Sequence, residues 1–464
     1  MKIIILGSGD VSLELAKYLA NAGHAVTIAD TDSELLTEIA NRIDLRVVTG
    51  NPASPATLRK AGAENTELLV ATTSDDETNI TACCVAHVLF KIPRKIARLR
   101  SHEYLSESED LFGIKSIPID HIIATEQVIT QNIMSLIELP GISSLGSFCN
   151  NRIIVGSARV EIGAKLLGQG ISYFNEYDGK AKVLAIYRDG KYLKNLDKEV
   201  FQIDDEVFFC CQRDRALSQL GSIRKLSIGD RNITIAGGTH VADNLARTLS
   251  EKYRVKLIES DSARANRSSV RLHDTGCEVY DADPMDMEFL KEENLDTSDL
   301  YIAATPKDET NIMTSLIFSR VHNVKTLALI RGESYLELTK SDRNDIDTVV
   351  FPKNSIISAM LSLIRQEGVE NVHLFRQGKS EAIELCLQGS RLSSKIIGRK
   401  YESLNLPEGV TFGLLVRGKK IMVVDKHTVF ADKDVVIAFL NDHLQMRPLV
   451  KYCRPFSFWV PKWE

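Results

Sequence analysis

The stretch Lys2–Asp30, KIIILGSGDVSLELAKYLANAGHAVTIAD, decides the fold class. Ile3–Leu6 is an unbroken aliphatic run of the length of a buried strand. Gly7-Ser8-Gly9 follows as a turn, and Val11, Leu15, Tyr18 and Leu19 then recur at helical spacing. Val26–Ala29 is a second strand, closed by Asp30. A strand, a glycine turn, a helix and a strand ending in an acid make a βαβ unit that opens on a dinucleotide-type loop. In such a loop Gly7 permits the tight turn and Gly9 lets the backbone approach a pyrophosphate. The helix start at Asp10 and Val11 offers amide donors and the positive end of the dipole to the phosphates. Asp30 stands where a carboxylate grips the ribose hydroxyl pair. The third glycine of the pattern is replaced by Ser12, at a position that serves helix–strand packing. A Rossmann-like core that has lost its ligand would show the same grammar.

The grammar returns. In NITIAGGTHVADNLARTLSEKYRVKLIESD, Ile233–Ala236 is the strand, Gly237-Gly238-Thr239 the turn and Val255–Ile258 the second strand, ended by Glu259. DETNI occurs at Asp76–Ile80 and again at Asp308–Ile312, and IARLRSHEYL matches LALIRGESYL, aligning Arg100 with Arg331 and Arg98 with Leu329. After each Rossmann-like unit comes a hairpin-rich segment, AIYRDGKYLKNLDKEVFQIDDEVFF in the first half and LLVRGKKIMVVDKHTVFADKDVVIAF in the second. Whole domains are therefore duplicated. The expected fold is α/β: two Rossmann-like doubly wound parallel sheets, each followed by a small α+β domain. Boundaries fall at residues 1–122, 140–220, 230–350 and 369–450. Helices are expected over Asp120–Leu139 and Asn354–Gln366, with linkers near Leu139–Asn151, Ala216–Arg231 and Glu367–Asn371.

Composition narrows the function. A chain of 464 residues with a formal net charge of −5 lacks the basic surplus of a nucleic-acid binder. Its eight cysteines are scattered, with no zinc-like pair, and read as reduced thiols of a cytosolic protein. The apolar run at the N-terminus is too short for a signal-peptide core, and no stretch approaches the ~20 apolar residues that span a bilayer.

Other residues admit more than one reading. Asp76, Glu77 and Asn79 follow the strand Leu68–Ala71, where an open parallel sheet has its ligand crevice; helix capping by Asp75 or Asp76 is the competing role. Thr73 and Ser74 sit at the same strand end, within reach of ribose or phosphates. Arg98 and Arg100 share one strand face, suited to nucleotide phosphates, to a carboxylate of another subunit, or to a solvated basic edge. Cys83-Cys84 in a helical pattern reads as core packing, and His240 has no partner acid or nucleophile nearby in sequence that would make it catalytic. A dehydrogenase needs an acid/base group near the hydride, and the small domains are poor in histidine. An NAD(P)-dependent oxidoreductase and a ligand-free scaffold are the alternatives to a nucleotide sensor. Both tryptophans lie in the tail CRPFSFWVPKWE, which either packs on its own domain or docks on a partner.

The order of units, with KIIILGSGDVS, DLRVVTG, DETN and KIARLRSHEYL, resembles the regulatory subunits of Trk-type potassium uptake, built from tandem RCK N and RCK C domains. The resemblance covers nearly the whole chain. It implies a non-enzymatic cytoplasmic subunit, peripheral on the cytoplasmic face of the inner membrane, with NAD(H) or ATP/ADP as regulatory ligand. It further implies a homo-oligomeric ring of two or four chains beneath a membrane-embedded potassium-translocating subunit. Carried onto this sequence, the cofactor-binding set is Gly7, Ser8, Gly9, Asp10, Val11, Asp30, Asn51, Thr73, Ser74 and Arg98. The second-half counterpart is Gly237, Gly238, Thr239, His240, Val241 and Glu259. Asn51 replaces the acid common in the family's TGD, Thr239 takes the middle glycine position and Leu329 removes the cation of Arg98. A Cβ at Thr239 would crowd a pyrophosphate, so the first site is expected to bind and the second to be degenerate.

Overall fold

In the computed structural model, which describes residues 1–43, 45–113, 116–177, 180–226, 232–338, 346–364 and 368–455, the first apolar run forms strand β1 (Lys2–Leu6). Helix α1 (Asp10–Asn21) and strands β2 (Ala25–Asp30), β3 (Arg46–Thr49) and β4 (Leu68–Ala71) follow. Helix α2 (Asp76–Phe90), strands β5 (Arg94–Leu99) and β6 (His121–Ala124) and helix α3 (Thr125–Glu138) complete the first unit of the repeat. The strands pair in parallel in the order β3-β2-β1-β4-β5-β6. Ile3–Leu6 and Leu68–Ala71 are buried on both faces, which is why these segments read as continuous apolar runs rather than alternating ones. The order reverses between β1 and β4, so the topological switch point lies at the end of β1.

A five-stranded antiparallel sheet follows: β7 (Ser144–Phe148), β8 (Ile153–Arg159), β9 (Ala181–Arg188), β10 (Lys191–Tyr192) and β11 (Glu206–Gln212), in the order β10-β9-β11-β8-β7. The second half repeats both sheets. Its parallel sheet uses β12 (Asn232–Ala236), helix α4 (His240–Ser250), β13 (Arg254–Glu259), helix α5 (Ser262–Leu272) and β14 (Glu278–Asp281). It continues with β15 (Leu300–Ala303), helix α6 (Asp308–His322), β16 (Lys325–Leu329) and β17 (Thr348–Val350), ordered β14-β13-β12-β15-β16-β17. Helix α7 (Pro352–Leu363) leads to the last sheet: β18 (Val369–Phe375), β19 (Ser380–Cys386), β20 (Val410–Arg417), β21 (Lys420–Val423) and β22 (Val435–Leu440). The expected fold class holds.

Local boundaries differ from expectation. His121–Ala124, expected to open a helix, is the edge strand β6, paired in parallel with Ile96–Leu99; the β-branched Ile122 and Ile123 suit a strand that has a partner to pair with. The expected linker Leu139–Asn151 contains β7, and that at Ala216–Arg231 contains the helix Ala216–Ile223, with 227–231 outside the described residues. Helix α7 starts earlier than expected, with Pro352 at its first position. Gln366 and both tail tryptophans lie outside the described residues.

By its internal contacts the chain divides into two compact units: residues 1–128 with 356–367 and 442–452, and the remainder. Arg94 of the first unit donates to the Leu363 carbonyl in one of these added segments. In the second unit the two antiparallel sheets share one core, where Phe208 lies 5.0 Å from Phe439 and 5.6 Å from Phe375, ring centroid to centroid. Each sheet carries the same pair on a buried aspartate: Arg188 grips Asp205 with Nε and Nη2 at 2.8 and 3.0 Å, and Arg417 grips Asp434 at 2.8 and 2.7 Å. Among the described residues no helix is long and apolar enough to cross a membrane.

Candidate functional site

The loop between β1 and α1 sits at the switch point. Gly7 has φ of +104°, and a Cβ there would lie 3.0 Å from the Thr72 carbonyl and the Thr73 nitrogen, so the turn requires glycine. Gly9 is different. Its φ is −64°, and a Cβ would meet nothing within 4 Å. The fold therefore tolerates a side chain at Gly9, and the space above it is open. No side chain caps α1 at Gly9, which leaves the helix N-terminus available to an anion. Asp10 and Val11 form its first turn. Ser12, in place of the third glycine, is buried and shares a hydrogen bond of 2.8 Å with the Thr72 hydroxyl, joining α1 to the end of β4.

Asp30 ends β2 beside this loop. Its Oδ2 accepts from the Ser8 amide at 2.6 Å and the Ser8 hydroxyl at 2.9 Å; its Oδ1 accepts from the Asp32 amide at 3.1 Å. Burial works to raise its pKa, but these donors outweigh it and hold the carboxyl below the usual aspartate range. Asn51, past the end of β3, accepts from the Ala53 amide at 2.9 Å and so keeps the turn that an aspartate would make. In the second half Asp283 does the same for Met285 at 2.9 Å.

DETN is a brace. Asp75 caps α2 by accepting from the Thr78 amide at 2.8 Å. Asp76 Oδ2 accepts from the Arg100 and Ser101 amides at 2.9 and 2.8 Å, and Glu77 accepts from the Tyr104 hydroxyl at 3.0 Å. Asn79, fully buried, accepts from the Thr73 amide and hydroxyl at 3.0 and 2.8 Å and donates to the Arg98 carbonyl at 3.0 Å. Thr73 is thus turned inward, whereas Ser74 is exposed at the strand end. Arg98 donates from Nε to Thr125 Oγ1 at 2.9 Å; burial and then the neighbouring Arg100 push its guanidinium down to about 10.

The second loop has the same backbone and different chemistry. Gly237 has φ of +114°, and a Cβ would lie 2.8 Å from the Ala304 carbonyl. Gly238 donates its amide to Glu259 Oε2 at 2.5 Å. Thr239 caps α4: its hydroxyl accepts from the Ala242 amide and donates to the Ala304 carbonyl, both at 3.2 Å. Glu259 is buried and paired with Arg264 at 2.8 Å, where the first half has Leu35. Burial alone would raise its pKa; Arg264 and the amides of Gly238 and Asp261 bring it below the ordinary value. Arg331 donates to the Thr305 carbonyl at 2.9 Å and lies 3.6 Å from Asp308. His240 touches Arg271 at 3.1 Å, which in turn pairs with the buried Asp243 at 2.8 Å; Val241 is buried. Sequence reasoning found Thr239 and Leu329 but missed Arg264 and Arg331, whose aim depends on the folded crevice.

Comparison with known proteins agrees with this fold. The TrkA-N domain model matches residues 3–125 and 233–352, the two parallel sheets. The chain is 36% identical over 462 residues to the Trk system potassium uptake protein TrkA of Vibrio alginolyticus, covering 99% of this chain and 100% of that one. In fold it is similar to the GsuK RCK domain, with a TM-score of 0.59 at 15% identity over 97% of this chain and 94% of the other. It also matches the GsuK channel bound to NAD, with a TM-score of 0.59 at 15% identity over 97% of this chain and 78% of that one. Two matched domains, and 36% identity along nearly the whole of both chains to a potassium uptake protein, establish that the chain belongs to the TrkA family of Trk system potassium uptake proteins.

Proposed function

We infer that this chain is a nucleotide-binding regulatory subunit of potassium transport, and that the crevice above the first parallel sheet is its nucleotide site. The observation that carries this reading is the pair formed by the uncapped helix start at Gly9, with open space above it, and the ionised Asp30 beside it. The pyrophosphate of NAD(H), or the phosphates of ATP or ADP, would lie on the amides of Gly7–Val11, with the ribose toward Asp30 and Asn51. Ser74 and Arg98 border the strand ends from which phosphate oxygens or a base are reached. NAD is the ligand named for the GsuK channel, and its chemistry fits this loop.

The partner is a membrane-embedded potassium-translocating subunit, reached from the cytoplasmic face by a ring of two or four chains. Domain boundaries near residues 1–122, 140–220, 230–350 and 369–450 would give each chain two regulatory lobes. To act on a partner, the nucleotide must bind one arrangement of the ring better than another, since equal affinity shifts nothing. A coupling of ~1–3 kcal/mol changes the partner's opening roughly 5–150-fold. The protein's own groups bind and orient; no bond is made or broken.

The test is Gly9→Thr, which copies the second loop's side chain into the first. The change should fold normally, because the Cβ position is empty. Titration calorimetry with NADH, NAD⁺, ATP and ADP should show strong binding by the wild type and loss of most of it in the variant. Equal binding by a folded Gly9→Thr protein would remove the loop from the site.

A further inference from the structure

A cleft of about 500 Å³ opens within the second unit, and none of its lining residues belongs to either crevice. That is the size range of small-ligand sites. Its walls are β7 and β8, the edge strand β17 with the first turn of α7, and β18 with the turn that follows it. The surface is hydrophilic, with Asn132, Ser144, Asn354 and His373 facing in and the buried Ser157 hydroxyl 2.7 Å behind that of Ser144. Burial pushes His373 down to about 4, so its ring is a neutral hydrogen-bonding group rather than a charge.

Four cations reach the cleft, and three hold a carboxylate. Arg224 pairs with Glu161. Lys325 pairs with Asp347 at 2.9 Å. Arg376 lies 3.6 Å from Glu206 and stacks 3.5 Å above the Tyr187 ring. The fourth is Arg159, half-buried on β8. Glu206 is its direct neighbour across the ladder, but that carboxylate turns to Arg376. Among the described residues no carboxylate lies within ion-pair distance of Arg159. The remaining acid of the lining, Asp204, is exposed and has a contact of its own. The last sheet lacks this arrangement: the paired positions that hold Arg159 and Glu206 in one copy hold Cys386 and Val435 in the other. A partly desolvated guanidinium without a counter-charge is unfavourable unless an anion joins it.

We propose that this cleft binds a small hydrophilic oxyanion, a phosphate or carboxylate group carried on a polyhydroxylated body, with Arg159 as the anchor for the acid. The serine and asparagine side chains take the hydroxyls. The site is independent of the nucleotide crevice and belongs to the first antiparallel sheet and its neighbours, not to the second copy.

Calorimetry on the full chain tests it with ribose 5-phosphate, glucuronate, inorganic phosphate and uncharged ribose as probes. The expected result is saturable binding of ribose 5-phosphate or glucuronate and none of ribose. Arg159→Gln should weaken that binding about ten-fold or more, Arg159→Lys less, and Asn354→Phe should also weaken it by filling the cleft. Asp30→Ala should leave it unchanged. The proposal is overturned if no probe saturates, if Arg159→Gln binds as tightly as the wild type, or if Asp30→Ala removes the binding. Inorganic phosphate binding as tightly as ribose 5-phosphate would exclude the polyhydroxylated ligand.

Discussion

The two parallel sheets differ in one place and agree in another. Around DETN they are nearly superimposable in chemistry. Asn79 and Asn311 hold Thr73 and Thr305 and the carbonyls of Arg98 and Leu329. Asp76 and Asp308 each take two consecutive amides just past the fifth strand of their sheet, and Glu77 and Glu309 each take a tyrosine hydroxyl. Around the glycine loop they diverge. The first half leaves a helix end uncapped and, among the described residues, a carboxylate with no cation in ion-pair distance; the second caps the helix with Thr239 and pairs Glu259 with Arg264. Groups that tie one strand end to the next are needed whether or not a ligand arrives. Groups that meet a ligand are free to satisfy one another once it is gone.

The largest expected effect tests the shared part. Asn79→Ala and Asn311→Ala each orphan several buried backbone groups, at about 1–3 kcal/mol apiece, so each should cost on the order of 4 kcal/mol locally. Hydrogen exchange of the amides in β4 and β5, and separately in β15 and β16, reads the two losses. Near-equal losses support a common brace; a harmless Asn311→Ala would mean that only the first half depends on it.

Next in size is a pH effect in the antiparallel pair, where the copies differ at Lys182. Its ammonium donates to the Phe412 and Val424 carbonyls at 2.8 and 2.6 Å and lies 4.7 Å above the Tyr401 ring. Burial lowers its pKa from 10.5 to about 8, against the pull of Cys210, Asp425 and Asp197. Below pH 8 the folded and unfolded chains both carry the charge, and the folded one bears its burial. Between about pH 8 and 10.5 the unfolded chain keeps a proton that the folded chain has released, so stability should rise with pH. The full gain is on the order of 3 kcal/mol. Denaturation curves of the wild type and Lys182→Met across this window isolate it from other titrating groups; parallel curves would exclude it.

A smaller contrast separates the two acids. Asp30→Ala should cost nucleotide binding about 1.5–3 kcal/mol, the worth of a charged hydrogen-bonding partner. Glu259→Ala should leave binding alone and lower stability instead, because Arg264 loses its shorter ion pair and keeps only Asp261 at 3.6 Å. If the two variants gave the same binding defect in calorimetry, the halves would be equivalent sites.

Much of this was legible before folding, and the reasons are local. Gly7 and Gly237 announce positive-φ turns, buried parallel strands announce themselves as apolar runs, and Thr239 stands openly in a glycine position. Strand β6 was hidden because its four residues precede a helix and gain strand character only by pairing with β5. Strand β7, SLGSF, has too little apolar alternation to be read as a strand in isolation. The common core of the two antiparallel sheets depends on Phe208, Phe375 and Phe439 meeting from distant parts of the chain. The inward turn of Arg264 and Arg331 was equally invisible: an arginine in sequence carries no sign of where its guanidinium will find a carboxylate or a carbonyl.

The smallest effect asks whether the second crevice can be reopened. Thr239→Gly frees the Ala242 amide and removes the Cβ above the loop, but Glu259 stays paired with Arg264 and Leu329 offers no cation where Arg98 stands. Alone it should gain nucleotide affinity by no more than a few-fold. Leu329→Arg on the Thr239→Gly background should gain more than the sum of the two single changes, since both act on the same phosphates and neighbouring groups couple by ~0.5–3 kcal/mol. Calorimetry in a Gly9→Thr background silences the first loop and reads the second alone. Strong binding there before any repair would overturn the view of one receptive and one self-satisfied crevice. Strict additivity of the two changes would show that Leu329 does not border the phosphates, and would move the search for the missing cation to Arg331, held on the Thr305 carbonyl.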